Sequence, residues 1–281
     1  MAAAPERIAL VTGASAGIGL YTALGLARAG ILVVMAGRDP SRTGRARDIV
    51  AESSGSAAVE MAIADFASLA AVRGLAETVL SRYDRLDVLV NNAGLIAPRC
   101  ELSEDGYELT IAVNHLAPFL LTNLLLDRIR ASSPARIVTV ASQSHRGARL
   151  DLATLTKPPD WSPLGAYGRS KLCNILFTHA LARRLSETGV VAASLHPGVI
   201  ATKIGDRAGK LAGFGWRIVK PFLTTPDKGA ETSLFLATTT DPWPFRGAYL
   251  IDKRAAQPDP AALDVDLAER LWTESVRLVG L

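Results

Sequence analysis

The feature that most constrains this chain is an alternation. Short, almost unbroken apolar runs at 8–11, 32–36, 59–64, 86–90, 136–140 and 190–195 are separated by longer stretches of helical character at 18–29, 41–52, 69–82, 106–129 and 167–186. Several of the runs are rich in β-branched residues and nearly continuous, as strands covered on both faces should be. Strand, helix and strand repeated in this way predict a parallel sheet with right-handed crossovers, with a last short strand near 247–251. Length alone leaves one or two domains open, but no Pro-, Gly- or Ser-rich linker divides the chain and no repeat recurs along it. The expected fold class is therefore α/β: a Rossmann-like, doubly wound parallel sheet of about seven strands in a single domain spanning 1–281.

Charge and cysteine content narrow the function classes. The net charge of +4 comes from 31 basic residues against 27 acidic ones, and the basic ones form no long block. The densest cluster, Arg38, Arg42, Arg45 and Arg47, suits one phosphate or a solvated helix face better than a nucleic-acid groove. Cys100 and Cys173 have neither metal nor redox spacing and read as reduced thiols. The four histidines show no metal-ligand spacing, so no metal is expected. No signal-peptide pattern precedes the first strand, and the apolar runs read as too short or too interrupted to span a membrane. The expectation is a soluble, cytoplasmic protein with no nucleic-acid partner.

After the first strand comes Thr12-Gly13-Ala14-Ser15-Ala16-Gly17-Ile18-Gly19, followed by a helical pattern. Glycines here permit a tight turn and a close backbone approach to a pyrophosphate lying on the helix N-terminus. The spacing is GxxxGxG, unlike the GxGxxG of the commonest dinucleotide fingerprint. Gly13, Ser15, Ala16, Gly17, Ile18 and Gly19 are thus candidate cofactor-binding residues. An acid that holds a ribose 2′-hydroxyl is expected about 20 residues further on, at the end of the second strand. There the chain has Gly37-Arg38-Asp39. A guanidinium pairs bidentately with a 2′-phosphate, which favours NADP(H) and makes Arg38 its reader. Asp39 keeps NAD(H) open, because it can neutralise Arg38 or bond the ribose itself. Asp65, with Phe66, follows the third strand as an adenine-side candidate, although Asp65 reads equally well as a helix N-cap.

Tyr167-Gly168-Arg169-Ser170-Lys171 places a phenol and an ammonium at i and i+4, on one helix face. A free phenol has a pKa of about 10, too high for proton exchange near neutrality, and a fixed positive charge lowers it. By itself this spacing also describes an exposed helix face. Ser142 closes the fifth strand where it can bond a substrate oxygen. Asn114 lies within a long apolar helix, and Asn91-Asn92-Ala93-Gly94 closes the fourth strand.

With these motifs in order, the sequence resembles the short-chain dehydrogenase/reductase family from about residue 7 to the C-terminus. It looks most like the retinol dehydrogenase-like branch, through Val113-Asn114-His115-Leu116, the run 170–177, His196-Pro197-Gly198-Val199 and Glu269-Arg270-Leu271-Trp272. The resemblance implies that Tyr167 is the acid/base, Lys171 its pKa partner and a ribose ligand, and Ser142 the group that steadies the carbonyl. It implies further that Asn114 holds a water linking Lys171 to solvent. Asn91, Ala93, Gly94, Pro197, Gly198, Val199 and Thr202 help bind the cofactor, Thr202 at the nicotinamide carboxamide. Ala117-Pro118 departs from the branch, which usually has Gly-His there, so a kink is expected just past Asn114. No N-terminal anchor like that of many membrane-bound members is expected here, which weakens the case for a membrane-borne substrate.

The segments 143–166 and 203–226 follow strands five and six and are expected to wall the substrate pocket. The second is apolar enough to act as a lid. His145 and His196 sit near strand ends, within possible reach of a substrate, while His179 reads as a helix-surface residue. The function implied is hydride transfer between NADP(H) and a lipophilic ketone or aldehyde and its alcohol. Alternatives are an NAD-dependent alcohol dehydrogenase of the same fold, a sugar-nucleotide epimerase or dehydratase, and a non-catalytic NADP(H)-binding protein. Oligomeric state stays open, relatives often forming homodimers or homotetramers.

Overall fold

Strand β1 (Ile8–Thr12) shows how the sheet divides the molecule. Its side chains alternate, Ile8 and Leu10 joining the apolar cluster on one face and Ala9 and Val11 the cluster on the other. A strand buried on both sides must be apolar at every position. The computed structural model describes residues 7–198 and 225–281. Within them β1 is followed by α1 (Gly17–Arg28), β2 (Leu32–Gly37), α2 (Pro40–Ser54), β3 (Val59–Ile63), α3 (Leu69–Arg82) and β4 (Val88–Asn91). Next come α4 (Leu109–Ala131), β5 (Ala135–Val140), α5 (Pro163–Arg184) and β6 (Val190–His196). The chain closes with α6 (Pro226–Thr238), β7 (Tyr249–Ile251), β8 (Arg254–Ala256) and α7 (Val265–Val279).

The sheet has eight strands in the order β3-β2-β1-β4-β5-β6-β7-β8. All neighbours are parallel except β7 and β8. The expected seven strands are present, and the eighth is a three-residue antiparallel return whose residues are largely exposed. Helices α1, α2 and α6 pack on one face; α3, α4, α5 and α7 pack on the other. The strand order reverses between β1 and β4, which share a register from Ala9↔Val88 to Val11↔Val90. In an open α/β sheet, the crevice beyond the carboxyl ends at such a reversal is where ligands bind.

Among the described residues, α4 is the one helix long and apolar enough to cross a membrane by length and composition. The sequence reads as helical over 106–129, but its apolar runs read as too interrupted to span, which this length and composition do not bear out. Here it is a core helix, most of its apolar stretch being buried.

Candidate active site

The glycine turn is clamped onto the end of β4. Thr12 Oγ1 accepts from the backbone N–H groups of Asn92 and Ala93, both at 2.9 Å, and donates to Val90 O at 3.2 Å. Asn92 Nδ2 donates back to Thr12 O at 2.8 Å. Gly13 has φ +65°, and a Cβ there would stand 2.8 Å from Ala93 Cα. A Cβ at Gly19 would lie 2.5 Å from both Asn92 Nδ2 and Gly13 O. Only glycine meets both demands. Helix α1 then begins at an N-cap, Ala16, whose side chain makes no capping bond. Its first-turn N–H groups, with the dipole behind them, suit a bound phosphate. Asn92 and Thr12 are the two contributors that motif reading did not single out as site residues.

At the end of β2, Gly37 is packed so that a Cβ would meet Thr43 Oγ1 at 2.4 Å. An acid in its place would require Thr43 to move. Asp39 is committed elsewhere: it caps α2, accepting from Arg42 N at 2.9 Å and Ser41 Oγ at 2.8 Å. The backbone bond from Arg42, followed by the Ser41 bond, holds its carboxyl below the usual range. Arg38 is exposed. Asp65 is not a helix cap. It accepts from Ala67 N at 2.9 Å, and Ser68 caps α3. The Phe66 ring lies in the core.

The catalytic candidates converge between β5, α4 and α5. The Ser142 hydroxyl lies near enough to the Tyr167 phenol to lower its pKa, while it donates to Ser144 Oγ at 3.2 Å. The Lys171 ammonium lies 5.4 Å from the centre of the Tyr167 ring and donates to Val140 O at 2.8 Å. Burial pushes the Tyr167 phenol up, and the Ser142 hydroxyl pulls it partly back. Burial also lowers Lys171 to about 8. The expected lowering of the phenol by the ammonium is therefore not what dominates here; desolvation outweighs it for both groups.

Asn114 sits in a π-helical turn, Ala112–Leu116, inside α4. Pro118 has no N–H to give Asn114 O, and the preceding turn is widened to an Ala117 N to Ala112 O bond. The expected kink past Asn114 is thus realised as a bulge. Asn114 Oδ1 accepts from Leu95 N at 2.8 Å, while Nδ2 donates to Leu95 O and to Ser170 Oγ, both at 2.9 Å. Ser170 Oγ donates in turn to Tyr167 O at 2.7 Å. Asn114 therefore joins the β4 loop to the helix of Tyr167, a link that runs through a serine the motif left unassigned. At Gly94 a Cβ would come within 3.3 Å of Asn114 Oδ1 and 3.6 Å of Lys171 Nζ. Its absence leaves the space between those two atoms open to a water or a ribose hydroxyl.

Asn91 is buried, and its Nδ2 donates to Thr122 Oγ1 at 2.9 Å, so its amide is tied into α4. Gly198, with φ +85°, and Pro197 follow β6. Val199, Thr202 and nearly all of the segment 203–226 lie outside the described residues. The histidines near the strand ends have structural partners. His145 is buried with Nδ1 2.5 Å from Ser142 O, and its Nε2 accepts from Asp259 N at 3.0 Å. His196 Nδ1 accepts from Gln143 N at 3.3 Å. Both hold the backbone around Ser142. His179 is half-buried, with burial lowering its pKa.

The residues present fit a nicotinamide dinucleotide: an uncapped helix N-terminus behind a left-handed glycine, and a gap at Gly94 facing an ammonium. Strand order, glycine turn and the Ser142–Tyr167–Lys171 cluster together define an oxidoreductase of the dinucleotide-binding α/β class. The family model of short chain dehydrogenases matches residues 7–211. Retinol dehydrogenase 13 of Homo sapiens is 38% identical over 288 aligned residues, covering 99% of this chain and 86% of its own. A crystal structure of a Mycobacterium paratuberculosis protein is 32% identical with a TM-score of 0.78, covering 98% of this chain and 93% of that one. The RhlG/NADP active-site complex of Pseudomonas aeruginosa is 26% identical with a TM-score of 0.71, covering 87% and 93%. The chain belongs to the short-chain dehydrogenase/reductase family.

Proposed function

We propose that the chain is an NADP(H)-dependent carbonyl reductase and, in reverse, an alcohol dehydrogenase, acting on a lipophilic ketone or aldehyde and its alcohol. The observation that carries the reading is the buried Lys171 ammonium 5.4 Å from the centre of the Tyr167 ring, with Ser142, just past β5, beside the phenol. A protein that only binds a dinucleotide has no use for a phenol held in this way. When bound, the dinucleotide supplies a hydride for reduction or takes one for oxidation. The Tyr167 phenol gives its proton to the carbonyl oxygen during reduction and receives one in the other direction. The Ser142 hydroxyl donates to the same oxygen and stabilises the charge that develops there. Lys171, positioned by Val140 O and facing Gly94, holds a ribose hydroxyl and favours the phenolate.

The turn at Gly13, Ser15, Ala16, Gly17, Ile18 and Gly19 would hold the pyrophosphate. Asp65, Asn91, Ala93, Gly94 and Gly198 would border the remainder. The preference for NADP(H) is supported by an exposed Arg38, an Asp39 already engaged in capping, and a Gly37 where a larger residue would have to displace the Thr43 side chain. Likeness to an NADP complex agrees with it. The lipophilic substrate is supported by kinship to a retinol dehydrogenase, named for a largely apolar alcohol.

The test is a titration of NADPH and NADH against the wild type and Arg38→Ala, with turnover of a panel of aromatic and aliphatic ketones. NADPH should bind more tightly, with the substitution erasing the difference; equal or tighter NADH binding overturns the cofactor choice. Tyr167→Phe should abolish carbonyl reduction and keep NADPH binding, and retained turnover overturns the mechanism.

A further inference from the structure

Ser142 stands where the sheet stops holding the chain. Just ahead of it, Ala141 N donates across to Leu195 O at 2.8 Å. Pro197, just past β6, has no N–H with which to extend the pairing. A three-residue 3₁₀ turn, Gln143–His145, follows, too short to hold itself. The Ser142 hydroxyl accepts from Ser144 N and donates to Ser144 Oγ, both at 3.2 Å. Bonds of that length leave the aim of the side chain to the backbone.

The peptide that joins Ser142 to Gln143 is gripped at both ends by histidine rings. His145 Nδ1 donates to its carbonyl, Ser142 O, at 2.5 Å, and His196 Nδ1 accepts from its N–H, Gln143 N, at 3.3 Å. The two rings hold opposite tautomers, and each is fixed by its partners. A carbonyl oxygen only accepts, so His145 carries its proton on Nδ1, and its Nε2 is left to accept from Asp259 N at 3.0 Å. His196 accepts at Nδ1 and so carries its proton on Nε2. Both rings are buried, and burial lowers the pKa of each, which favours the neutral forms that these bonds require. Tyr249 packs nearly edge-on against His145, with ring centres 5.1 Å apart.

We propose that His145 and His196 are positioning residues for carbonyl reduction, a clamp on the Ser142–Gln143 peptide that aims the Ser142 hydroxyl. A peptide unit is planar. Holding both of its ends fixes ψ of Ser142, here 157°, and with it the direction of the side chain relative to β5. This role rests on the reading of Ser142 as the donor to the substrate oxygen.

The test compares Asn with Leu at each of the two positions. An Asn amide can place its nitrogen or its oxygen where Nδ1 stands, so it can donate to Ser142 O at position 145 and accept from Gln143 N at position 196. Leu can do neither. His145→Leu and His196→Leu should each lower kcat by about ten- to a hundredfold, the scale of a misplacement of up to about 1 Å. His145→Asn and His196→Asn should recover most of that loss. In a Ser142→Ala background, measured on its residual turnover, either Leu substitution should cost little more, because the hydroxyl it misaims is gone. Residue-resolved amide exchange needs no turnover, and Gln143 N–H should exchange at least about tenfold faster in each Leu variant. A wild type that reduces no carbonyl would overturn the reading of Ser142, and the exchange result would still decide the clamp. The proposal is overturned by Gln143 exchange that neither Leu variant changes, or by Leu variants as fast as an active wild type. Asn variants as slow as their Leu counterparts, or a loss that persists in full without the Ser142 hydroxyl, overturn it too. His196→Leu keeps the test decisive where His145→Leu fails to fold.

Discussion

Lys171 is buried among the packed side chains of α5, and its ammonium has been taken out of water for a hydrogen bond to Val140 O at 2.8 Å. Burial moves its pKa from 10.5 down to about 8. Between these two values the unfolded chain binds a proton that the folded chain does not, so this group makes stability rise with pH across that window. Below pH 8 both states are protonated and the full penalty of the buried charge is present. It amounts to roughly 3 kcal/mol at pH 7. Lys171→Met has a similar length and no charge. It removes that penalty but takes a donor from Val140 O, which keeps Asn174 Nδ2 at 3.4 Å. Losing this charge-assisted hydrogen bond costs about 1.5–3 kcal/mol. The variant should therefore be at least as stable as the wild type, and by up to about 1.5 kcal/mol more so, at pH 7. The gap should shrink by roughly 1.3 kcal/mol between pH 7 and pH 9 as the wild-type lysine sheds its proton.

The assay is urea unfolding followed by tryptophan fluorescence, without added nucleotide, at both pH values and with the slopes compared. Burial raises the Cys173 thiol and the phenols of Tyr83 and Tyr249, so these groups weaken the fold as pH rises. They are common to both proteins and cancel in the difference. A variant less stable than the wild type at pH 7, or a gap that does not change with pH, would refute the reasoning, because the ammonium would then carry no desolvation penalty. The same substitution should abolish turnover. Stability gained as activity is lost is the signature of a group held in place for chemistry.

Two further predictions concern the supports of the site. Glu108 is fully buried, accepting from Thr110 N at 3.1 Å, Ile111 N at 2.9 Å and Trp161 Nε1 at 3.0 Å. It thus ties the start of the helix carrying Asn114 to the residue just before the cap of the helix carrying Tyr167. Glu108→Ala should cost about 2–4 kcal/mol in urea unfolding, with Glu108→Gln recovering part of it; a loss under half a kcal/mol would show the carboxylate to be dispensable. His115 is wholly buried with its pKa held down to about 3, and its Nε2 lies 2.8 Å from Ser275 Oγ. A depressed histidine contributes stability above its unfolded pKa of about 6.5 that is lost as pH falls, here by about 2 kcal/mol between pH 7 and pH 5. His115→Phe should flatten the stability–pH curve by that amount over the interval, and an unchanged slope would show that this histidine does not set it.

How far the molecule could be read from its sequence depended on whether a residue acts through its side chain or through its backbone. The first six strands were legible because each is a short, mostly apolar run, nearly continuous where both faces are buried. Strand β8 was not, since Arg254–Ala256 is short, exposed and held only by its pairing with β7. Helices α6 and α7 were not read from the sequence, although α6 lies between the expected strands β6 and β7. Helix α5 was placed to begin at Tyr167, although Ser162 and Pro163, a cap followed by a proline at the first helical position, mark the true start. In the site, Tyr167, Ser142, Lys171 and Asn114 were identified and do converge. What aims them was hidden: the Val140 carbonyl that holds the lysine, the Leu95 peptide that holds Asn114, and the Ser142 carbonyl beside His145. Backbone acceptors carry no sequence signature, since every residue has one. They become positioning groups only when the sheet places a particular peptide at the end of a particular strand. His145 and His196 show the converse, for side chains that by type alone suggest proton chemistry are used as hydrogen-bonding struts, and burial lowers the pKa of both. The reacting groups are therefore written in residue types, while the precision of their placement is a property of the strand ends.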